Sequence, residues 1–216
     1  WDLSGYGYER PDGRQINFRG GSFDNPLWTV NKNSAQSDSR RYIMSVNLAY
    51  DVAPWMKVNY RLGNDNLTDN RKFFRDKRSG SAPNGFLSFD DVARNEITST
   101  ITSTFNKKFA DKFEATLLIG QDINTRTFRQ SIITGSQLVL PGIQNTNNIQ
   151  TFDPGYNYTS KRNLIGAFGN LTLSYNNYLF LDVVGRNEWS STLPQQNRSF
   201  FYPGASASYI FSEALD

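Results

Sequence analysis

The stretch Leu171-Thr172-Leu173-Ser174-Tyr175-Asn176-Asn177-Tyr178-Leu179-Phe180-Leu181-Asp182-Val183 decides the fold. Apolar and polar residues alternate with a period of two on both sides of the Asn pair. That is the signature of two strands with one greasy and one wet face. Asn tolerates left-handed backbone, so Asn176-Asn177 predicts a tight hairpin turn. Upstream, Ile165 and Ala167 continue the greasy face, while Gly166, Asn170 and Thr172 lie on the wet one. Downstream, the wet face carries Asp182, Val184, Arg186 and Glu188.

Two further hairpins repeat the pattern. In the first, Tyr42, Met44, Val46, Leu48 and Tyr50 precede a turn at Val52-Ala53-Pro54. Met56, Val58, Tyr60 and Leu62 then alternate with Lys57, Asn59, Arg61 and Asp65. In the second, Ile97, Ile101 and Phe105 alternate with a threonine-rich face, and a short turn near 107–111 leads into Phe113, Ala115, Leu117 and Ile119. Residues 202–211 add a seventh strand with Ala205, Ala207, Tyr209 and Phe211 on one face. A short eighth strand is conceivable at 15–21 or 27–32.

The connections alternate strictly. Short turns follow the first, third and fifth strands, and long segments (68–93, 125–161 and 190–200) follow the others. Loops beyond roughly 12–15 residues are uncommon in compact soluble domains. Short turns at one end of a sheet and long loops at the other are the habit of outer-membrane barrels. Aromatic residues gather at the short turns: Tyr50 and Trp55, then Phe105, Phe109 and Phe113, then Tyr175 and Tyr178, with Tyr209 and Phe211 closing the last strand. That arrangement predicts an interfacial belt. The fold class is therefore all-β, an antiparallel transmembrane β-barrel sector of about seven strands. Seven is an odd number, so an incomplete barrel whose edges need partners is expected. A soluble β-sandwich with aromatic core positions is the competing fold.

Composition removes several function classes. The 216 residues include no Cys and no His, which excludes disulfides, thiol chemistry, histidine triads and the usual zinc sites. A net charge of +3 does not suggest a dedicated nucleic-acid binder. No apolar run reaches the 18 or more residues of a membrane helix. The chain opens at Trp1-Asp2, without Met or a basic leader, so a piece of something longer or a mature product is expected. Neither a phosphate-binding glycine loop nor a nucleophile elbow is present. No catalytic residue, metal site or cofactor is expected.

The site candidates are polar and aromatic. Asp182, Arg186 and Glu188, with Arg61 and Asp65, lie on wet strand faces, where they would meet a passing solute or one another. Asp182 and Glu188 stand about 20 Å apart along a strand, too far for a carboxylate pair in glycoside hydrolysis. Arg71, Phe73, Phe74 and Arg75 belong to a basic run, 71–78, that reads as a solvated outer loop touching lipopolysaccharide phosphates or a partner protein. Tyr156 and Tyr158 fall in a polar loop, 134–160, whose Asn, Gln and Tyr side chains suit a polar ligand and are equally ordinary loop residues.

The segment Arg186-Asn187-Glu188-Trp189-Ser190-Ser191-Thr192-Leu193-Pro194, followed by Phe200-Phe201-Tyr202-Pro203, Ser206-Ala207-Ser208 and Ile210-Phe211-Ser212-Glu213, resembles the SusC/RagA family. These are TonB-dependent outer-membrane transporters of the Bacteroidetes. Asn25-Pro26-Leu27-Trp28, Arg40-Arg41-Tyr42-Ile43 and residues 162–169 are similar to that family too. Glu188 stands where the family usually has Asp. The resemblance implies that residues 1–216 are barrel wall, without a TonB box or plug, from a barrel of 22 strands. It also implies a bacterial outer-membrane location, a SusD-like surface lipoprotein and TonB as partners, contact with membrane lipid and lipopolysaccharide, and no nucleic acid. The expected activity is import of a large polar nutrient, an oligosaccharide or peptide. A small stand-alone barrel with a structural or adhesive role, and a soluble all-β carbohydrate-binding module, are the alternatives.

Overall fold

The computed structural model describes residues 5–17, 23–109 and 111–214. It is all-β. The long strands are β1 (Ser34–Ala53), β2 (Met56–Arg75), β3 (Phe86–Phe109), β4 (Phe113–Leu138), β6 (Tyr156–Tyr175), β7 (Leu179–Ser190) and β8 (Ser199–Tyr209), and β5 (Ile149–Phe152) is short. They form one antiparallel sheet in the order β1-β2-β3-β4-β6-β7-β8, with β5 paired to β4. The sheet is open, as in a barrel fragment. Two short helices flank it, α1 (Pro26–Lys32) and α2 (Phe211–Ala214). Among the described residues, no helix is long and apolar enough to cross a membrane.

The alternation of short and long connections is borne out, and the seven expected long strands are all present. Both Asn176 and Asn177 have positive φ, 49° and 60°. The N–H of Tyr178 donates to the carbonyl of Tyr175 at 3.2 Å. This is the mirror-image turn whose twist suits a hairpin. From it, β6 and β7 zip in register from Tyr175↔Leu179 to Leu164↔Ser190.

Several boundaries differ from the sequence reading. Residues 27–32 form helix rather than strand. Pro26 occupies the first turn, where its missing N–H costs nothing, and the Asn25 side chain accepts from the Leu27 N–H at 2.9 Å. Gln15 makes an isolated antiparallel bridge with Glu9, while residues 18–21 of the other candidate strand lie outside the described residues. Phe211 begins α2 instead of closing the last strand. The expected long loops are shorter, because β2, β3 and β4 continue well past the greasy stretch.

The chain divides into two compact units. The first comprises Trp1–Arg41, Leu67–Arg94 and Phe128–Ser160. It holds a small dry core of Phe74, Leu87, Leu138 and Ile149, with Phe89 packed against it. Gly85 is needed beside this core. Its φ is +83°, and a Cβ there would sit 2.7 Å from Leu138. Trp28 of α1 is buried and donates from Nε1 to Ser79 Oγ at 2.9 Å. Asp76 is also buried. Its Oδ1 accepts from the N–H groups of Lys77 and Gly142, both at 2.8 Å, and its own N–H donates to Asn33 Oδ1 at 2.9 Å. One aspartate thus ties three connecting segments together. Phe74→Ala should cost about 3–5 kcal/mol, read as faster amide exchange through residues 138–149.

The second unit comprises Tyr42–Asn66, Asn95–Thr127 and Lys161–Asp216. It is built the opposite way. Val46, Leu117, Leu173 and Leu181 are 53%, 38%, 40% and 42% exposed. The side chains of Asp122, Arg186 and Glu188 are only 18%, 33% and 24% exposed. Register lines up each face: Leu173, Leu181 and Ala207 form one row, and Thr172, Asp182 and Ser206 the next. In β3, β4, β6 and β7 the greasy face is the exposed one and the polar face the better covered, while both faces of β1 and β8 lie open.

Candidate functional site

In the second unit the polar face carries a charged network centred on Arg186. Its guanidinium donates to both oxygens of Asp122, at 2.8 and 3.1 Å, and through Nε to Glu188 Oε1 at 2.7 Å. Such two-pronged pairing is the strong form of the interaction. Asp122 lies on β4 and Arg186 on β7, with β6 between them in the sheet. The pair can meet because β6 places Gly166 under it. A Cβ on Gly166 would lie 2.5 Å from Arg186 Nη2 and 2.7 Å from Asp122 Oδ1. The same guanidinium sits over the ring of Phe168, 5.4 Å from its centroid, and that ring in turn covers Gly120. Asp182 is placed separately, accepting from the Thr172 hydroxyl at 2.5 Å.

Along the same face, Asn124 donates to Glu96 at 2.6 Å and Thr98 at 3.0 Å, and Arg126 pairs with Glu96 at 2.9 Å. Arg61 donates to Asn47 Oδ1 at 2.8 Å. With Asn59, Thr100 and Thr102 these two line a cleft of about 430 Å³. Asp65 is half-buried on the same strand face as Arg61. The structure therefore unites Arg186 with Glu188 and leaves Asp182 with a hydroxyl partner.

The first unit has its own polar ladder. Ser37 donates to Asp69 at 2.6 Å, and Arg71 pairs with Asp69 at 2.7 Å. Arg71 also reaches Asp90 at 3.7 Å, and Gln130 donates to Asp90 at 2.8 Å. Asp69 lies outside the apolar stretch of β2. The Ser37 hydroxyl, and then the Arg71 guanidinium, hold its carboxyl below the usual range. Beside the ladder is an aromatic group. Tyr156 and Tyr158 stack at 6.4 Å, Tyr158 meets Phe128 at 5.9 Å, and Arg94 lies over Phe128 at 5.4 Å.

The outer-loop candidates need correction. Arg71, Phe73, Phe74 and Arg75 are the end of β2, not a loop. Phe74 is buried at 2% and packs in the core, so it has no surface to offer a ligand. Arg71 is bound into the ladder, whereas Phe73 and Arg75 stay exposed. Tyr156 and Tyr158 open β6 and remain exposed. The Asn-rich loop before them is partly self-satisfied. Buried Asn148 uses its amide on the backbone of Leu140 and Ile143. Period two places Asp122 on a wet face without naming its partner, and Phe128 and Arg94 carry no signal in the sequence. Their partners lie on other strands, and only the register brings them together.

No family model matches the sequence, and no curated protein matches it. Solved structures do match. The RagAB peptide transporter aligns with a TM-score of 0.76 at 12% identity, over 94% of this chain and 24% of that one. The RagAB peptide importer in its closed-closed state gives 0.72 at 14% identity, over 91% and 23%. Its open-open state gives 0.70 at 13%, over the same shares. At these identities the likeness is one of fold. This chain is folded like a sector of the RagAB transporter structures and spans about a quarter of the length of the chains it matches.

Proposed function

We propose that this chain is a sector of the wall of a SusC/RagA-type transporter in the bacterial outer membrane. Its role is transport rather than catalysis. One observation carries the reading: in the second unit the large aliphatic side chains are exposed while the charged network is the better covered. A water-soluble domain would reverse this. In β1, β4 and β6 the greasy stretch runs about 11 residues from a short turn. At about 3.3 Å per residue and the usual tilt of roughly 40°, it spans about 28 Å, close to the roughly 25 Å apolar band of an outer-membrane barrel. Pairing along the sheet satisfies backbone groups that hydrocarbon would leave unmet.

The polar face then gives a large hydrated solute a wet path once a plug is displaced by TonB. The RagAB fold likeness favours a peptide cargo, with an oligosaccharide as the other candidate, and a SusD-like lipoprotein as the surface partner. The soluble carbohydrate-binding module loses support from the absence of a dry core among the described residues of the second unit.

This chain has no Cys of its own, so a label introduced here is unique within these 216 residues. Single cysteines at Leu117, Leu173 and Leu181 should carry spin labels reached by oxygen but shielded from a water-soluble nickel chelate. Labels at Thr116, Thr172 and Asp182 should show the reverse. Equal accessibility on the two faces would end the transport-wall reading.

A further inference from the structure

We infer that a cleft on the polar face of the second unit holds the C-terminal carboxylate of a peptide in passage along the wall. The inference rests on the transport-wall reading and names a station on that path. Every residue lining the cleft belongs to the second unit. Asn47 of β1, Asn59 and Arg61 of β2 and Thr100 and Thr102 of β3 surround about 430 Å³, and the small side chain of Ala49 leaves the room. That size falls within the range of ligand clefts, about 300–1,000 Å³.

Side-chain contacts inside this unit identify the face. A Cβ on Gly120 would lie 2.5 Å from the Phe168 ring and 2.9 Å from Thr102 Cγ2. Phe168 carries the Arg186 guanidinium over its ring. Thr102 thus links the cleft to the face that bears Asp122, Arg186 and Glu188.

Charge selects the occupant. On this face Arg186 has Asp122 and Glu188, Arg126 has Glu96 at 2.9 Å, and Lys57 has Asp51 at 3.4 Å. Arg61 has no such partner. Among the described residues it forms no ion pair, and no carboxylate lines the cleft. Its Nε donates to Asn47 Oδ1 at 2.8 Å, which orients the guanidinium and leaves the two Nη groups as a fork for an incoming carboxylate. The amides of Asn47 and Asn59 and the hydroxyls of Thr100 and Thr102 supply donors and acceptors together, as the peptide groups behind that carboxylate require. Arg61 is exposed, so water weakens its hold and the cargo can leave again. Asn59 is the fourth residue of β2, counted from the short turn. Short turns face the periplasm in outer-membrane barrels, so the peptide reaches this cleft late in its passage.

The test uses the full-length membrane protein containing this chain, held in nanodiscs. The probe is an N-acetylated octapeptide of neutral residues with a benzophenone group beside its free C-terminal carboxylate. The same peptide with a C-terminal amide is the comparison. Photo-cross-links of the acid should map to β1, β2 and β3, and the amide should give about tenfold fewer, the low end for a hydrogen bond to a charged group. Arg61→Gln should lower the yield of the acid to that of the amide and leave the amide unchanged, which separates a lost carboxylate partner from a general loss of fold. Arg61→Lys, which keeps the charge without the fork, should retain about a third of the acid's yield. Equal yields from acid and amide, an acid preference that survives Arg61→Gln, or cross-links confined to other strands would each overturn the proposal. Nitroxides at Leu173 and Thr172 of the same preparation separate the two readings. Opposite accessibilities without a preference for the acid reject the cleft alone, whereas equal accessibilities reject the wall as well.

Discussion

Val183→Arg should destabilise the bilayer-folded protein by about 2–4 kcal/mol, while Val184→Arg should cost less than about 1 kcal/mol. The two valines are neighbours, chemically identical and almost equally exposed, at 45% and 43%. Water alone would not distinguish them. They differ in face. Val183 sits in the row Leu171, Val183, Ala205, and Val184 in the row Asn170, Val184, Gly204. The Val183 row is near the middle of the greasy stretch, where a guanidinium must shed its hydration into hydrocarbon. The Val184 row belongs to the face that carries Asp182 and Arg186, where water and carboxylates remain within reach. Urea titration of the protein refolded into lipid vesicles measures both values. Equal losses at the two positions would mean that the faces see the same solvent, and the membrane reading would fail with them.

The same contrast explains which parts of the fold were legible in the sequence. Where one face is greasy and the other wet, period two stands out, and β1, β6, β7 and the turns beside them could be placed from residues alone. Beyond the greasy stretch polar and apolar residues fall on both faces, as where Phe86 stands beside Leu87 and Ile132 beside Ile133, so alternation carries no contrast and the strands vanish from view. That is why β2 running on to Arg75, β3 starting at Phe86 and β4 extending to Leu138 all read as loop. Phe74 illustrates the cost. Among Arg71, Lys72 and Arg75 it has the pattern of an exposed aromatic in a basic loop, yet Leu87, Leu138 and Ile149 cover it from segments distant in sequence. The helix at Pro26 did leave a signal, the Asn-Pro pair of an N-cap and first turn. The charged network was half legible. Parity placed Arg186 and Glu188 on one face, but Asp122 joins them only through the order of strands, which composition and spacing do not encode.

That network yields the other large effect. Gly166→Ala should destabilise the protein by about 1.5–3 kcal/mol, the worth of hydrogen bonds to a charged group. A single methyl would stand 2.5–2.9 Å from the Arg186 guanidinium and 2.7 Å from Asp122 Oδ1. The backbone is not what resists it, because both nearest contacts are side-chain ends. Those ends must swing apart, and with them goes the bridge that crosses β6. In the Arg186→Ala background the guanidinium is gone, and the Asp122 carboxylate that it held over Gly166 is free to rotate away. The change should then reverse sign and stabilise by about 0.5 kcal/mol, since alanine restricts the unfolded chain more than glycine. The same urea titration, run as a double-mutant cycle, reads both numbers. A penalty that persists without Arg186 would assign the glycine to backbone conformation, and the cross-strand bridge would no longer be the reason that β6 carries a glycine there.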